Sequence, residues 1–490
     1  MALKKKISTF FLILNSVLAS ATDYYVSSTG NDFSNGLSES TPWKTISKLN
    51  SALSGMKPGD RILFKRGDVF YGSLNITCSG TKTNPIVFGA YGTGANPVIT
   101  GFRTVSSWTY VKPGIYRSTQ SFSSPVNLVA LNGSPQTLGR YPNTGYMTFE
   151  SHVSNKSITD YQLTDTPNWS GAEIVLKHNP YSIYRNKITN HQAHTITFTP
   201  TFSGELRNGY GYFIQNSLET LDSFGEWYHD GIYLYMFFGD KDPDSYTVQA
   251  STIDRLVYIY GINYVTIENI TFQGANVAAI RASKYNNIRI QHCNIEYSGR
   301  NAITFVDNVY TSYFLYIDNC IINHTLDCAI NLNGNCTNSI ITNNTILNSG
   351  LFPGMGRGLF GAIYSIGPKG RYEYNIIENT GRNGIWFHGD SSLVKNNFIK
   401  NFCLTVDDAG GIYLSDWSLT YNKKITGNIV LNAVGNREGV PNDYTESEGI
   451  YIDYNTKNVE ISGNTVAFCK NGGIKLHGAS DIIINQNTCF

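Results

Sequence analysis

Hydrophobic and polar positions alternate along this chain in short runs, and the runs return at a nearly constant interval. From about Val265 to Phe490 the phrases TIENITF, IQHCNIEY, YIDNCII, ITNNTIL, YEYNIIE, VKNNFIK, KITGNIV, EISGNTV and INQNTCF recur. Each sets β-branched or aromatic residues in a two-residue alternation, the period of a strand and not of a helix. An asparagine returns in every phrase: Asn269, Asn294, Asn319, Asn344, Asn375, Asn397, Asn428, Asn464 and Asn487. The gaps between them are 25, 25, 25, 31, 22, 31, 36 and 23 residues. A strand-and-turn repeat of this length predicts a solenoid, here a parallel β-helix with like side chains stacked in ladders along its axis. Asn suits the ladder because it tolerates tight bends and its amide can reach the backbone of the next coil. Gaps of 31 and 36 residues predict loops gathered on one face, which in solenoids is often the binding face.

The early chain predicts the start of the same stack. Tyr24-Tyr25-Val26 reads as a strand, and Thr45 to Leu53 as a short helix that covers the open end of the solenoid. RILFK, SLNIT, PIVFGAY and PVITG follow as strands of the first coils. Residues 125–251 break the period but contain alternating runs of their own, among them VNLVALNG, AEIVLKH, SIYRNKITNH, HTITFTP, GIYLYMFFG and SYTVQAS. The predicted organisation is therefore a leader over 1–21, a cap with first coils over 22–124, an inserted β-rich domain over 125–251 and the main β-helix over 252–490. Phe490 falls inside a repeat phrase, which reads as a truncated solenoid or one that continues beyond it.

The leader is a separate signal. Lys4-Lys5-Lys6, an apolar stretch from Thr9 to Leu18 and the small residues Ala19-Ser20-Ala21 predict a secretory signal peptide cut before Thr22. The apolar stretch is too short to span a bilayer, so the expectation is an exported protein with no membrane span. Charge excludes a further class: 37 basic against 36 acidic residues, net +1, supply no basic field for nucleic acid. Eight cysteines allow disulfides in an exported chain. Cys293, Cys320 and Cys489 stand beside the asparagine positions, where a small buried side chain fits, so mostly free thiols are expected. A Cys320–Cys328 or Cys328–Cys336 bridge stays open. Aromatic residues make up 13% of the chain, which suits stacking on sugar faces as well as ordinary strand packing.

Candidate chemistry comes from aligning the coils on their Gly-Ile-aromatic phrases. Gly384-Ile385-Trp386, Gly411-Ile412-Tyr413 and Gly449-Ile450-Tyr451 then stack on one another, with Gly361 to Gly367 before them and Gly472-Gly473-Ile474-Lys475 after. One column so formed reads Ser365 or Ile366, His388, Ser415, Asp453 and His477 or Leu476. Asp408 stands three residues before Gly411, and Glu448 directly before Gly449. Paired carboxylic acids are what glycosidic bond cleavage needs, one to protonate the leaving oxygen and one to attack or to activate water. The candidate catalytic residues are Asp408 and Asp453, with Glu448 as the alternate because its extra methylene gives reach. Trp386, His388, Asp416 and Trp417 are candidate substrate contacts on the same face. Arg140, Glu226 and Trp227, with Tyr141, are candidates for a wall supplied by the inserted domain, although packing within that domain explains them equally well. His388 has an equal claim to a structural role, Asp407 and Asp408 each have an equal claim to bending a turn, and Asp390 reads first as a turn residue.

The opening segment resembles that of secreted right-handed β-helix carbohydrate-active proteins. Leu138–Tyr146 (LGRYPNTGY) and Gly211–Phe237, with its Gly-Glu-Trp-Tyr phrase, resemble inserted-domain segments of glycoside hydrolase family 141 and its relatives. The resemblance implies that phrases of the type Asp-x-Gly-Ala-Ile-Tyr and Gly-Ile-Tyr-Leu-Asp hold the acids. Here these are Asp408, where Ala409-Gly410-Gly411 departs from the pattern, and Asp453. It further implies a secreted, cofactor-free, monomeric glycosidase acting on plant- or algal-type polysaccharide, with fucosidase or xylanase activity among the options. Two alternatives stand beside it. A uronic-acid lyase would use Ca²⁺ bound by Asp407 and Asp408 and a base from Lys369, Arg371, Arg382 or Lys395. A non-catalytic glycan-binding β-helix would leave the paired acids unexplained.

Overall fold

A computed structural model describes residues 21–415, 420–441 and 443–490, apart from the side chains of Asp307 and Asn308. The predicted signal peptide falls on residues 1–20, outside the described residues. Thirteen strands form one parallel sheet that runs along the whole stack, from Asp23–Val26 to Ser480–Asn485. Two further parallel runs complete each coil. One passes through Asn294–Ser298, Ile321–Thr325, Thr345–Ser349, Ile376–Thr380, Phe398–Phe402 and Ile429–Ala433. The other passes through Asn301–Phe305, Ile330–Leu332, Ile363–Ser365, Ile385–Phe387, Ala409–Leu414, Ser447–Ile452 and Gly472–Leu476. The interior is one continuous column of Ile, Val, Leu, Phe and Cys side chains. All eight cysteines are free, and six of them are buried.

The helix Ile46–Ala52 closes the first coil. Thr45 is its N-cap, accepting the Lys48 N–H on its hydroxyl at 3.0 Å. Ile46, Leu49 and Leu53 turn inward and cover the end of the apolar column.

The asparagine ladder runs from Asn344 through Asn375, Asn397, Asn428 and Asn464 to Asn487. Each backbone N–H donates to the Oδ1 of the next asparagine at 2.9–3.1 Å. Each Nδ2 also donates to a carbonyl of the coil before, as Asn375 does to Ile341 at 2.9 Å. Asn269, Asn294 and Asn319 do not belong to this column. Asn319 pairs in register with Asn343, one place early, because Asp318 opposes Thr342. Asn294 lies one place late, opposite Thr271 and Ile321. The ladder positions in those coils are Ile270, Cys293 and Cys320, all buried. Cys320 still joins the ladder by donating its N–H to Asn344 Oδ1 at 3.0 Å. Asn269 and Asn319 serve instead at the left-handed turn residue, with φ of 56° and 50°. A second asparagine ladder lies at another corner, where Asn348, Asn379, Asn401 and Asn432 each donate to the preceding Asn.

The departure from the solenoid begins at Phe102–Val105, ahead of residue 125, because that strand already pairs antiparallel with Val248–Ser251. Three antiparallel sheets follow, the largest built around Glu173–Asn179, Ser182–Gln192 and Gly211–Gln215. The parallel stack closes beneath this excursion. Ile86 pairs with Val265, Val98 with Thr271 and Leu74 with Val257, so coils on either side of the inserted segment are direct neighbours. The long inter-coil loops hold the inserted sheet in place. Gln215 donates to Gly354 O at 3.0 Å, Gly211 N–H to Gly439 O at 2.8 Å, and Val175, Ile183 and Phe213 pack on Phe360 and Val406.

Candidate active site

The coil alignment read from the Gly-Ile-aromatic phrases is the register of the structure. Trp386 opposes Tyr413, Tyr413 opposes Tyr451, and Tyr451 opposes Lys475. Glycine begins these phrases because the packed interior leaves no room for a side chain there. A Cβ on Gly411 would strike Val430, and one on Gly449 would strike Val466. The outward aromatics form a staircase, with ring centres 4.7 Å apart for Tyr364–Trp386, 5.3 Å for Trp386–Tyr413 and 5.2 Å for Tyr413–Tyr451.

These rings floor a cleft of about 730 Å³ between the coils and the inserted domain. The far wall is the tip of the hairpin joining Glu173–Asn179 to Ser182–Gln192, with Tyr181 and Tyr184 facing the cleft. This tip is fastened beside the acids, because Asp407 N–H donates to Pro180 O at 3.0 Å. Asp408 and Asp453 both line the cleft. Asp408 sits in the left-handed region (φ 52°) just before the strand Ala409–Leu414. Burial pushes its carboxyl up to about 7, the negative charge of Glu446 adds to the rise, and Arg382 and Lys475 oppose it. Asp453, on the next coil, has a different setting. Its Oδ2 accepts the Tyr413 hydroxyl at 2.6 Å, and its Oδ1 accepts from His477 Nδ1 at 2.8 Å. Asp408 is thus placed where burial keeps its proton up to near neutrality.

Other predicted site residues stand elsewhere. Trp386 lines the cleft. Asp416 and Trp417 lie outside the described residues. His388 is buried beneath the aromatic staircase, 5.9 Å from the Trp386 ring centre and 6.2 Å from that of Tyr364, and does not line the cleft. Glu448 is fully buried and spends its reach inward. Its Oε1 accepts from Asn471 at 2.6 Å and from Lys475 Nζ at 3.0 Å. It holds Lys475 over the Tyr451 ring, at 4.5 Å from the centre, and does not line the cleft. Asp407 is turned inward too, its two oxygens accepting the Glu446 N–H and the Ser447 hydroxyl.

The inserted domain contributes its wall through Tyr181 to Tyr184 and not through Arg140, Glu226 or Trp227. Arg140 lies 3.6 Å from the Phe213 ring centre and donates to Pro142 O at 2.9 Å. Glu226 is buried, accepting the Asp222 and Ser223 N–H groups at 3.0 and 2.9 Å. Trp227 is a core residue that donates to Gln136 O at 3.0 Å. Tyr181, Tyr184, Arg357, Tyr413 and Tyr451 are cleft residues that went unselected. For Tyr413 and Tyr451 the signal was present, since they end the aligned phrases.

Residues 241–402 match a family described as "Right handed beta helix region". The fold is a right-handed parallel β-helix. Over 174 residues, 32% of this chain, the sequence is 30% identical to lacto-N-biosidase of Bifidobacterium longum subsp. longum, and the match spans 10% of that protein's length. Among solved structures, one described as "Glycoside hydrolase" superposes with a TM-score of 0.79 at 14% identity, covering 96% of this chain and 97% of the other. A complex of XylC with xylose superposes with a TM-score of 0.57 at 15% identity, covering 93% and 70%. Among the described residues, no helix is long and apolar enough to cross a membrane.

Proposed function

We propose that this protein is a secreted, monomeric glycoside hydrolase in which Asp408 protonates the leaving glycosidic oxygen and Asp453 acts as the opposing base or nucleophile. One observation carries this reading: two carboxyl groups on adjacent coils line one cleft, Asp408 half-buried with its carboxyl pushed up to about 7 and Asp453 hydrogen-bonded by Tyr413 and His477. A carboxyl group that keeps its proton, set beside a second, is the pairing that two-carboxylate glycosidases use. The similarity to lacto-N-biosidase, over a small part of that protein, supports the substrate class. The resemblance of the inserted domain to glycoside hydrolase family 141 supports a plant- or algal-type glycan. Trp386 would stack on a sugar face, and the Tyr181 hairpin would close the opposite side.

The test is turnover of a broad glycan panel, analysed by reducing-end release. Hydrolysis that survives chelation and is lost in both Asp408→Asn and Asp453→Asn supports the assignment. Full activity in either variant sinks it. Products with the ultraviolet absorbance of an unsaturated uronate, lost on adding chelator, would instead establish a Ca²⁺-dependent lyase. Binding with no turnover of any glycan would establish a non-catalytic binder.

A further inference from the structure

The two acids account for one side of the cleft. The cleft also carries Arg357 and Arg382, which acid–base cleavage of a neutral sugar does not require. Arg382 is 8% exposed, and its backbone is pinned by bonds to Phe360 O at 2.7 Å and from Cys403 N at 3.0 Å. Its guanidinium carbon lies 5.0 Å from the Trp386 ring centre and 5.4 Å from that of Tyr181. The charged plane is thereby braced between a coil and the inserted hairpin. Its Nε has no hydrogen-bond partner. Among the described residues, no carboxylate lies within ion-pairing distance of either Arg357 or Arg382. Of the nearby acids, Glu173 is engaged with Arg185 at 2.8 Å and Asp327 with Arg300 at 3.7 Å, while burial keeps Asp408 protonated up to about pH 7. Asp453 is held by Tyr413 and His477. Leaving a polar group this buried without a partner is unfavourable, and more so for a charge. A ligand anion would remove that penalty.

We propose that Arg382 and Arg357 form a subsite for an anionic group on the substrate sugar, a carboxylate or a sulfate, held by their planar guanidinium forks. The proposal rests on reading the cleft as a sugar site. Arginine fits the task better than lysine, because its fixed fork matches two oxygens of one anion at once and its flat face stacks on rings. The subsite would select uronate-containing or sulfated glycans over uncharged ones.

The experiment measures equilibrium binding to the Asp453→Asn protein, so that turnover is not needed. Three tetrasaccharides are compared at low salt: galacturonate, sulfated galactose and uncharged xylose. At least one charged probe should bind about tenfold or more tightly than the xylose probe, and which one does so separates carboxylate from sulfate. Arg382→Gln and Arg357→Gln should each weaken that charged probe by about 10–100-fold and leave the xylose probe unchanged. Arg382→Lys should recover part of the loss. Equal or tighter binding of the xylose probe overturns the proposal. So does unaltered charged-probe binding by the arginine variants with an intact fold, or no binding by any probe. Arg357 is exposed, so its variant keeps the test valid if Arg382→Gln fails to fold. An arginine-dependent charge preference in a wild type that cleaves no glycan would overturn the hydrolase reading alone. Hydrolysis without charge preference would overturn this subsite alone.

Discussion

Two corners of the same coils behave in opposite ways. At the ladder corner, Asn375, Asn397, Asn428 and Asn464 repeat one side chain, and each satisfies the next through its N–H and Nδ2. At the cleft corner, the same coils present Trp386, Tyr413, Tyr451 and Lys475, and two residues beyond Tyr451 and Lys475 stand Asp453 and His477. Repetition lets polar groups be consumed internally, so the ladder is all scaffold. Variation leaves groups whose partners are not in the next coil. Some of these are recruited locally, as Glu448 is by Lys475. Others, Asp408 and Arg382 among them, face an opening.

The comparison breaks first at the acids. Asp453→Asn should lower kcat/KM by about 10³-fold or more, equivalent to roughly 4 kcal/mol of transition-state stabilisation, without changing the melting temperature by more than a few degrees. Asp408→Asn should fall similarly, and here pH gives a finer check. Asp408 holds its proton up to about pH 7, so wild-type kcat/KM should fall about tenfold per unit above that, a limb absent from the variant's residual activity. The same group carries a stability signature. Its folded value of about 7 exceeds the ordinary 3.8, so its contribution is fully present below pH 3.8 and is lost as pH rises to 7. Asp408→Asn should therefore be more stable than wild type at pH 8, by about 1–3 kcal/mol in urea unfolding. A less stable variant would contradict this account of the acid.

The ladder corner should answer in stability and not in rate. Asn397→Ala strips partners from Asn375 N–H and Nδ2 and from the Tyr372 carbonyl. A loss of about 2–4 kcal/mol is expected, with kcat of the folded fraction unchanged. Tyr413→Phe sharpens the boundary between the corners. It removes the 2.6 Å bond to Asp453 while keeping the ring in the staircase, so about a tenfold fall in kcat with little change in stability is expected. Smallest is Thr45→Ala, far from the cleft, which should cost about 1 kcal/mol through the lost helix cap and nothing in activity.

The fold was legible because a β-helix writes its register into sequence phrases. The alignment of Gly411-Ile412-Tyr413 with Gly449-Ile450-Tyr451 holds residue for residue. The ladder was legible from Asn344 onward and misplaced before it. Asn serves both the left-handed turn at Asn269 and Asn319 and the buried position next to it, and a recurring letter does not say which. Side-chain destination was the harder matter. Glu448 precedes its glycine just where an outward acid would stand, yet Lys475 and Asn471 of the next coil claim it. The wall from Tyr181 was invisible for a different reason. It depends on how an antiparallel sheet docks through Gln215, Gly354 and Pro180, contacts between segments far apart in sequence.

The stack that closes beneath the inserted segment makes the molecule modular. Ile86 meets Val265 as any two successive coils meet, so the continuity of the solenoid does not pass through residues 102–251. The acids and the aromatic staircase belong to the continuous part, and the opposing Tyr181 hairpin to the detachable one. The floor of the cleft, with Asp408, Asp453, Arg357 and Arg382, and its opposite wall are therefore carried by separable pieces of chain. The hairpin can lengthen, shorten or be replaced over evolutionary time while the coil register that sets Asp408 and Asp453 on neighbouring coils stays intact.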